Sequence, residues 1–174
     1  MTGGAIRNCR AKEYGGGVAL NVNDAAAKLT GGAITGCKAG KSGGGVACLL
    51  GKVTVNDCAV YDNTADKSAD DVYNNGSGST LTLGALPDGL TLTATGKPID
   101  GWYWDKRGKR WSSLYINAPS AIMTQELLTD STGTLSLKAA HGAYYTVTYD
   151  LNGGTDTGYD PVSVAKGAQH TLLP

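Results

Sequence analysis

Cys9, Cys37, Cys48 and Cys58, the acidic run Asp62, Asp66, Asp70 and Asp71, and the aromatic group Trp102, Tyr103, Trp104 and Trp111 are the side chains best suited to chemistry in this chain. A structural zinc site needs Cys or His pairs at short spacing. No Cys-x-x-Cys occurs, and His141 and His170 lie far from the cysteines in sequence, so no metal site is expected. A phosphate-binding loop needs Gly-x-x-x-x-Gly-Lys-Ser/Thr. Gly51-Lys52 has Val46 at the first glycine position and Val53 after the lysine, so no nucleotide or other cofactor is expected. Clustered carboxylates can serve as acid and base, or hold calcium, in enzymes that cleave polysaccharides. Turns also collect Asp, and the four aspartates are read as solvated corner residues. His141 and His170 are read as loop residues rather than as partners of a nucleophile. The aromatic group is the candidate ligand contact, because exposed rings stack on sugars or anchor a partner protein. The competing reading is that these rings pack the core of a segment without Phe.

The elements that would position these groups follow from repetition. Thr2-Gly-Gly-Ala-Ile-Arg-Asn-Cys9 recurs as Thr30-Gly-Gly-Ala-Ile-Thr-Gly-Cys37, and Gly15-Gly-Gly-Val-Ala19 recurs as Gly43-Gly-Gly-Val-Ala47. Repetition at this period implies units that bury their apolar faces only by stacking. Aligned by their cysteines, Ile6, Ile34 and Val55 form one column ahead of Cys9, Cys37 and Cys58, and Leu83 continues it. A second column runs Val18, Val46, Val72, where Asp70-Asp71 replace a glycine pair. Fixed short strands at variable intervals predict a parallel β-helix. Each strand would pair with its equivalent about 4.8 Å away in the next coil, like residue over like residue. Gly pairs serve as corners, Asn8, Asn56, Asp57 and Asn63 suit left-handed turns, and the Cys column is a small apolar filler. Stacked cysteines come within the Cα range of a disulfide, but their side chains run parallel. Free thiols are expected, with Cys48 on a separate strand column.

Gly-Gly-Ala-Ile twice, and Cys58-Ala-Val-Tyr-Asp-Asn63 before Asp70-Asp71-Val72-Tyr73, resemble the repeats of pectin-lyase-like β-helix adhesins. Chlamydial polymorphic outer-membrane proteins carry similar Gly-Gly-Ala-Ile and Phe-x-x-Asn motifs, and Val60-Tyr-Asp-Asn63 stands in the second place here. The resemblance covers about residues 2–86. Further on, Tyr145-Thr-Val-Thr-Tyr149-Asp-Leu-Asn152-Gly-Gly-Thr155 is similar to the opening of the Listeria–Bacteroides (internalin B-type) repeat. Gly101-Trp-Tyr103 and Thr134-Leu-Ser-Leu-Lys-Ala139 are similar to its closing half, in reversed order. Together these imply a bacterial cell-surface or secreted protein, located extracellularly, with small β-rich modules after a stalk.

Composition agrees with an all-β chain. Gly makes up 26 of 174 residues, Phe is absent and 17% of residues are charged, with no long 3.6-period stretch. With 15 basic and 15 acidic residues there is no electrostatic footprint for nucleic acid, and Lys106-Arg-Gly-Lys-Arg110 reads as a solvated hairpin tip. No apolar run reaches the length of a membrane span, and no leader precedes the first repeat, as in a fragment of a longer protein. The expected organisation is a right-handed parallel β-helix of about three to four coils with its cap over 1–95. A small β-rich module follows at 96–143, and the truncated start of a further repeat at 144–174. The cap is expected as a strand or hairpin around Pro87-Asp-Gly89; further on, a short helix is expected at 120–128 and a hairpin at Asn152-Gly153. The leading function is non-enzymatic, a structural stalk or adhesion module whose partner is a host or bacterial surface protein or a glycan. The alternatives are the terminal piece of a carbohydrate-active β-helix enzyme and a glycan-binding module built on the Trp cluster. The open first coil predicts edge-to-edge self-association.

Overall fold

Short runs of small and β-branched residues, separated by corners many of which take positive φ, divide the first 83 residues into three passes of similar layout. The computed structural model describes residues 1–84, 86–99, 101–106, 109–114, 134–141, 144–147 and 162–165. The described residues are all-β, contain no helix, and form mostly parallel sheets. The first pass comprises β1 (Ala5–Arg7), β2 (Arg10–Ala11) and β3 (Val18–Leu29). The second comprises β4 (Ala33–Thr35), β5 (Lys38–Ala39) and β6 (Val46–Val55). The third comprises β7 (Ala59–Tyr61), β8 (Thr64–Ala65), β9 (Val72–Asn74) and β10 (Ser79–Leu83).

Equivalent strands of successive passes pair parallel and in register. Ile6 pairs with Ile34 and Ile34 with Val60. Ala11, Ala39 and Ala65 form a second ladder, and Val18, Val46 and Val72 a third. Leu29, Val55 and Leu83 form a fourth. The column predicted through Val18, Val46 and Val72 is therefore present. The column predicted through Ile6, Ile34 and Val55 is two ladders: Val60 is the partner of Ile34, and Val55 belongs with Leu29 and Leu83. The cysteine column divides with it. A common offset carries Arg7 to Thr35 and Arg10 to Lys38, which sets Cys9 over Cys37; the next offset carries Thr35 to Tyr61 and Lys38 to Thr64, which sets Cys37 over Asn63. Cys58 falls instead just ahead of β7.

Turn length explains the uneven intervals. Between Leu20 and Ala26 the long strand β3 slips against β6, with Asp24 at φ 58°. In the third pass Asn75–Gly78 interrupt what is one continuous strand in β6, and Gly76 and Gly78 take positive φ. Corners repeat their conformation from pass to pass: Asn8, Gly36 and Asp62 have φ of 56°, 65° and 53°. Asn and Asp tolerate this left-handed region through local hydrogen bonding. Asn63, expected at a corner, turns inward instead and is buried.

Ile34, Val46, Val53, Val55, Val60, Val72, Leu81 and Leu83 form the buried core between the sheets. Of their first-pass counterparts, Ile6, Val18 and Ala27 are only partly buried, while Leu29, opposite Val55, is buried. Beyond the third pass, β13 (Leu135–Ala140) pairs antiparallel with β9, matching Leu135 to Asn74 and Leu137 to Val72. Its other edge pairs antiparallel with β11 (Gly101–Lys106), which pairs with β12 (Lys109–Leu114). The β9 edge of the third pass is thus covered by β13, with β11 and β12 beyond it. Strand β13 spans residues 135–139 of the segment similar to the closing half of the surface repeat, and β11–β12 form the hairpin expected around the basic run.

Around the expected cap, Asp88-Gly89 form a turn, but the pairing lies further on. Leu92 N–H donates to Lys97 O (2.9 Å) and Ile99 N–H to Leu90 O (3.0 Å). Pro87 has no N–H to donate, whereas Gly96, at φ 64°, lets the chain reverse beside Thr93–Thr95. The β14 strand (Tyr144–Val147) pairs antiparallel with β15 (Val162–Ala165), Tyr144 opposite Ala165. The helix expected at 120–128, the turn at Asn152-Gly153 and His170 lie outside the described residues.

Candidate functional site

The place where β13 closes the third pass concentrates the buried polar chemistry. Asp70 and Asp71 occupy the positions held by Gly44 and Gly45 one pass earlier, and Asp71 O accepts from Gly45 N–H and Val46 N–H. Both aspartates are buried rather than solvated, which corrects the expectation for this pair. The reason is the arrival of β13, which covers the corner. Asp71 accepts from Asn63 N–H (3.1 Å), Asn63 Nδ2 (2.9 Å) and Ala139 N–H (2.9 Å). The same Asn63 donates through Nδ2 to Ile34 O (2.9 Å) and Tyr61 O (3.0 Å), and its Oδ1 accepts from Cys37 N–H (2.9 Å). One amide side chain therefore joins the second pass, the third pass and, through Asp71, the covering strand.

Asp70 makes a parallel set of bonds. Its Oδ1 accepts from Ala65 N–H (2.8 Å), and its Oδ2 from Lys138 Nζ (2.7 Å) in an ion pair whose side chains are about one-tenth exposed. Its own N–H donates to Asp105 Oδ2 (2.7 Å), while Ala69 N–H donates to Asp105 O (3.0 Å). Ala69 has φ 57° where the two earlier passes have Gly15 and Gly43, so Asp105 on β11 holds a left-handed alanine in place. Burial pushes the Asp71 carboxyl up to about 7, against the pull of Lys138, Asn63 and Ala139 N–H.

Asp62 and Asp66 remain at the surface, as expected. Asp66 pairs with Lys38 (2.8 Å) with both side chains about half exposed, an arrangement worth little. Asp62 accepts from Thr93 N–H and from Thr93 Oγ1. Beside it lies a cleft of about 390 Å³ lined by Asp62, Asn63, Thr64, Thr93, Ala94 and Lys138. Another of about 330 Å³ is lined by Asn23, Asp24, Gly51, Lys52, Gly78 and Thr80.

The aromatic group divides. Trp102 and Tyr103 are buried at 1% and 4% exposure, and Trp102 belongs to the same apolar cluster as Leu137 and Ala139. These two are core residues here, the competing reading: β11 runs inside the sheet between β13 and β12, and Trp102 packs into the apolar cluster. Trp104 is partly buried against the same cluster. Trp111 lies on β12, and its side chain is outside what is described. His141, at the end of β13, is partly buried. All four thiols are free; Cys37, Cys48 and Cys58 are buried and Cys9 is exposed. Burial pushes the three buried thiols up, keeping them neutral at neutral pH. Among the described residues no cluster of His, Cys, Asp or Glu could hold a metal ion, and no helix is long and apolar enough to cross a membrane.

The Asn63–Asp71–Ala139 and Ala65–Asp70–Lys138 connections escape the sequence reading, since Lys138 and Asp105 come from distant strands. The available signal was the replacement of a glycine pair by Asp70-Asp71 at the third repeat. An outer brace was equally hidden. Tyr14 stacks on Tyr73 with ring centroids 5.7 Å apart, and Lys41, paired to Glu13 (2.7 Å), sits 5.3 Å from the Tyr14 ring. No protein-family model matches the chain, and comparison with curated proteins and with solved structures gives no match.

Proposed function

We propose that this chain is a non-enzymatic structural and adhesion module of a bacterial cell-surface or secreted protein. Its first three passes would be the end of a right-handed parallel β-helix. The observation that carries the proposal is the set of parallel, in-register ladders repeated over three passes. Such stacking adds length along one axis at about 4.8 Å per pass, as a stalk requires. Strands β13 and β11 would then close one end, and the opposite edge, along β1–β3, would be available to a further pass or to another surface. A host or bacterial surface protein, or a glycan, is the partner class that suits this role.

The alternative of a polysaccharide-cleaving enzyme would draw on the acidic run. Asp70 and Asp71 are a poor fit to that role, because their oxygens accept from Ala65, Lys138, Asn63 and Ala139 and the residues are buried. A glycan site on the Trp cluster would have to work without Trp102 and Tyr103, which are buried.

The test is turnover. The purified chain is incubated with pectin, polygalacturonate and alginate, with and without calcium, from acid to mildly alkaline pH. Reducing ends and unsaturated uronate absorbance are followed. Neither product is expected to exceed the buffer control. Release that Asp70→Asn or Asp71→Asn abolishes, in a variant that still folds, would overturn the non-enzymatic reading.

A further inference from the structure

Two cysteines stand next to each other on adjacent passes. Arg7 pairs with Thr35 and Arg10 with Lys38, so Cys9 and Cys37 occupy one rung, and Lys38 N–H donates to Cys9 O (2.8 Å). Neighbouring strands lie about 4.8 Å apart, inside the roughly 4.4–6.8 Å that a disulfide spans between Cα atoms. At this corner the side chain points into the interior in the second and third passes, as the burial of Cys37 and Asn63 requires. The two thiols run parallel, each turned to its own strand, so bridging requires the exposed Cys9 side chain to rotate towards Cys37. Cys9 Sγ donates to Arg7 O and Cys37 Sγ to Thr35 O, each at 3.5 Å and each two residues back. Cys37 Sγ also lies 3.9 Å from Ile6 O, so it leans onto the first pass. The pair is asymmetric in access, since Cys9 is exposed and Cys37 buried. Cys48 and Cys58 stand on other rungs, opposite Leu20 and Gly32 respectively.

We propose that Cys9 and Cys37 form an intramolecular disulfide that staples the first pass to the second, with Cys9 as the entry thiol and Cys37 as the resolving thiol. The oxidant is a small disulfide such as oxidised glutathione. The Cys9 thiolate, its proton lost to solvent, attacks one sulfur of that disulfide. The S–S bond breaks, and the first glutathione leaves as thiolate and takes up a proton. The Cys37 thiol then loses its proton to solvent and attacks Cys9 Sγ in the mixed disulfide, expelling the second glutathione thiolate. Two protein thiols are oxidised and one small disulfide is reduced to two thiols. Burial, which pushes the Cys37 thiol up, makes it a poor first attacker, and the order of events follows from that. The inference does not depend on the proposed role of the protein.

The test is oxidation of the whole chain with oxidised glutathione at mildly alkaline pH. Alkylation under denaturing conditions, tryptic digestion and mass spectrometry follow. The expected product joins the peptides 8–10 and 29–38, with Cys48 and Cys58 alkylated, and reactive thiols falling from four to two. Cys37→Ser is expected to stop at a stable glutathione adduct on Cys9. Four results would each overturn the proposal: no reaction at Cys9, a persistent mixed disulfide at Cys9 in the parent chain, Cys9–Cys9 cross-linked dimers as the main product, or a bridge to Cys48 or Cys58.

Discussion

Gly44→Ala is expected to cost about 3 kcal/mol or more of folding stability, with a fall in the denaturation midpoint to match. A Cβ on Gly44 would meet the carbonyl oxygens of Asp70 and Thr64 inside contact distance, and the Thr64 carbonyl carbon at 2.6 Å. All three are backbone atoms of the third pass, so no side chain can rotate away to make room. The same crowding recurs at Gly16, where a Cβ would meet Gly44 O and Lys38 O. The cost is therefore a property of stacking and not of one loop. Gly3→Ala is the control. Nothing lies within 4 Å of its Cβ position, and a change within about 0.5 kcal/mol is expected. Equal midpoints for the two variants in urea unfolding would show that the passes do not approach each other at this corner.

Asp71→Ala carries the second large effect. It removes the acceptor of Asn63 N–H, Asn63 Nδ2 and Ala139 N–H in a buried setting. Asn63 Nδ2 keeps Ile34 O and Tyr61 O, but the Asn63 and Ala139 N–H groups are stranded at about 1–3 kcal/mol each, so a loss of about 3 kcal/mol is expected, with faster amide exchange at Ala139. Asp71 also sets a pH dependence. Its carboxyl is raised from 3.8 to about 7 by burial, so between these values the folded state holds a proton that the unfolded state has released. Stability should therefore fall as pH rises through about 4 to 7, with a slope of up to about 1.4 kcal/mol per pH unit. The groups that bear on it are Lys138 and Ala139 N–H from β13, Asn63 from the corner before β8, and the neighbouring Asp70 with Asp105 behind it. Asp71→Ala should flatten this slope. Parallel pH profiles for parent and variant in chemical denaturation would show that Asp71 titrates normally.

Much of the layout is legible in the chain because like stacks on like. Val18, Val46 and Val72 can be aligned by eye, and so can the glycine pairs that Asp70 and Asp71 replace. The Ile34 ladder is where local pattern misleads. Val55 stands ahead of Cys58 at the spacing seen at Cys37, yet it ends β6 and pairs with Leu29 and Leu83. The true successor of Cys37 is Asn63, a residue of different chemistry that fills the same interior corner with hydrogen bonds in place of a thiol. Pairing between passes, together with small changes in turn length, decides the register, and neither is encoded in any short window. Asp70, Asp71, Trp102 and Tyr103 pose the same difficulty from another side. Their burial depends on β13, a strand far along the chain whose sequence gives no sign of where it docks.

The central claim is the stacking register, and trans-hydrogen-bond scalar couplings between amide nitrogen and carbonyl carbon read it most directly. The proposed β-helix predicts a coupling from Lys38 N to Cys9 C′ and another from Thr64 N to Cys37 C′, matching bonds of 2.8 and 2.9 Å. It also predicts one from Ala59 N to Gly32 C′. A coupling from Ala59 N to Cys37 C′, as cysteine-over-cysteine stacking would require, contradicts it.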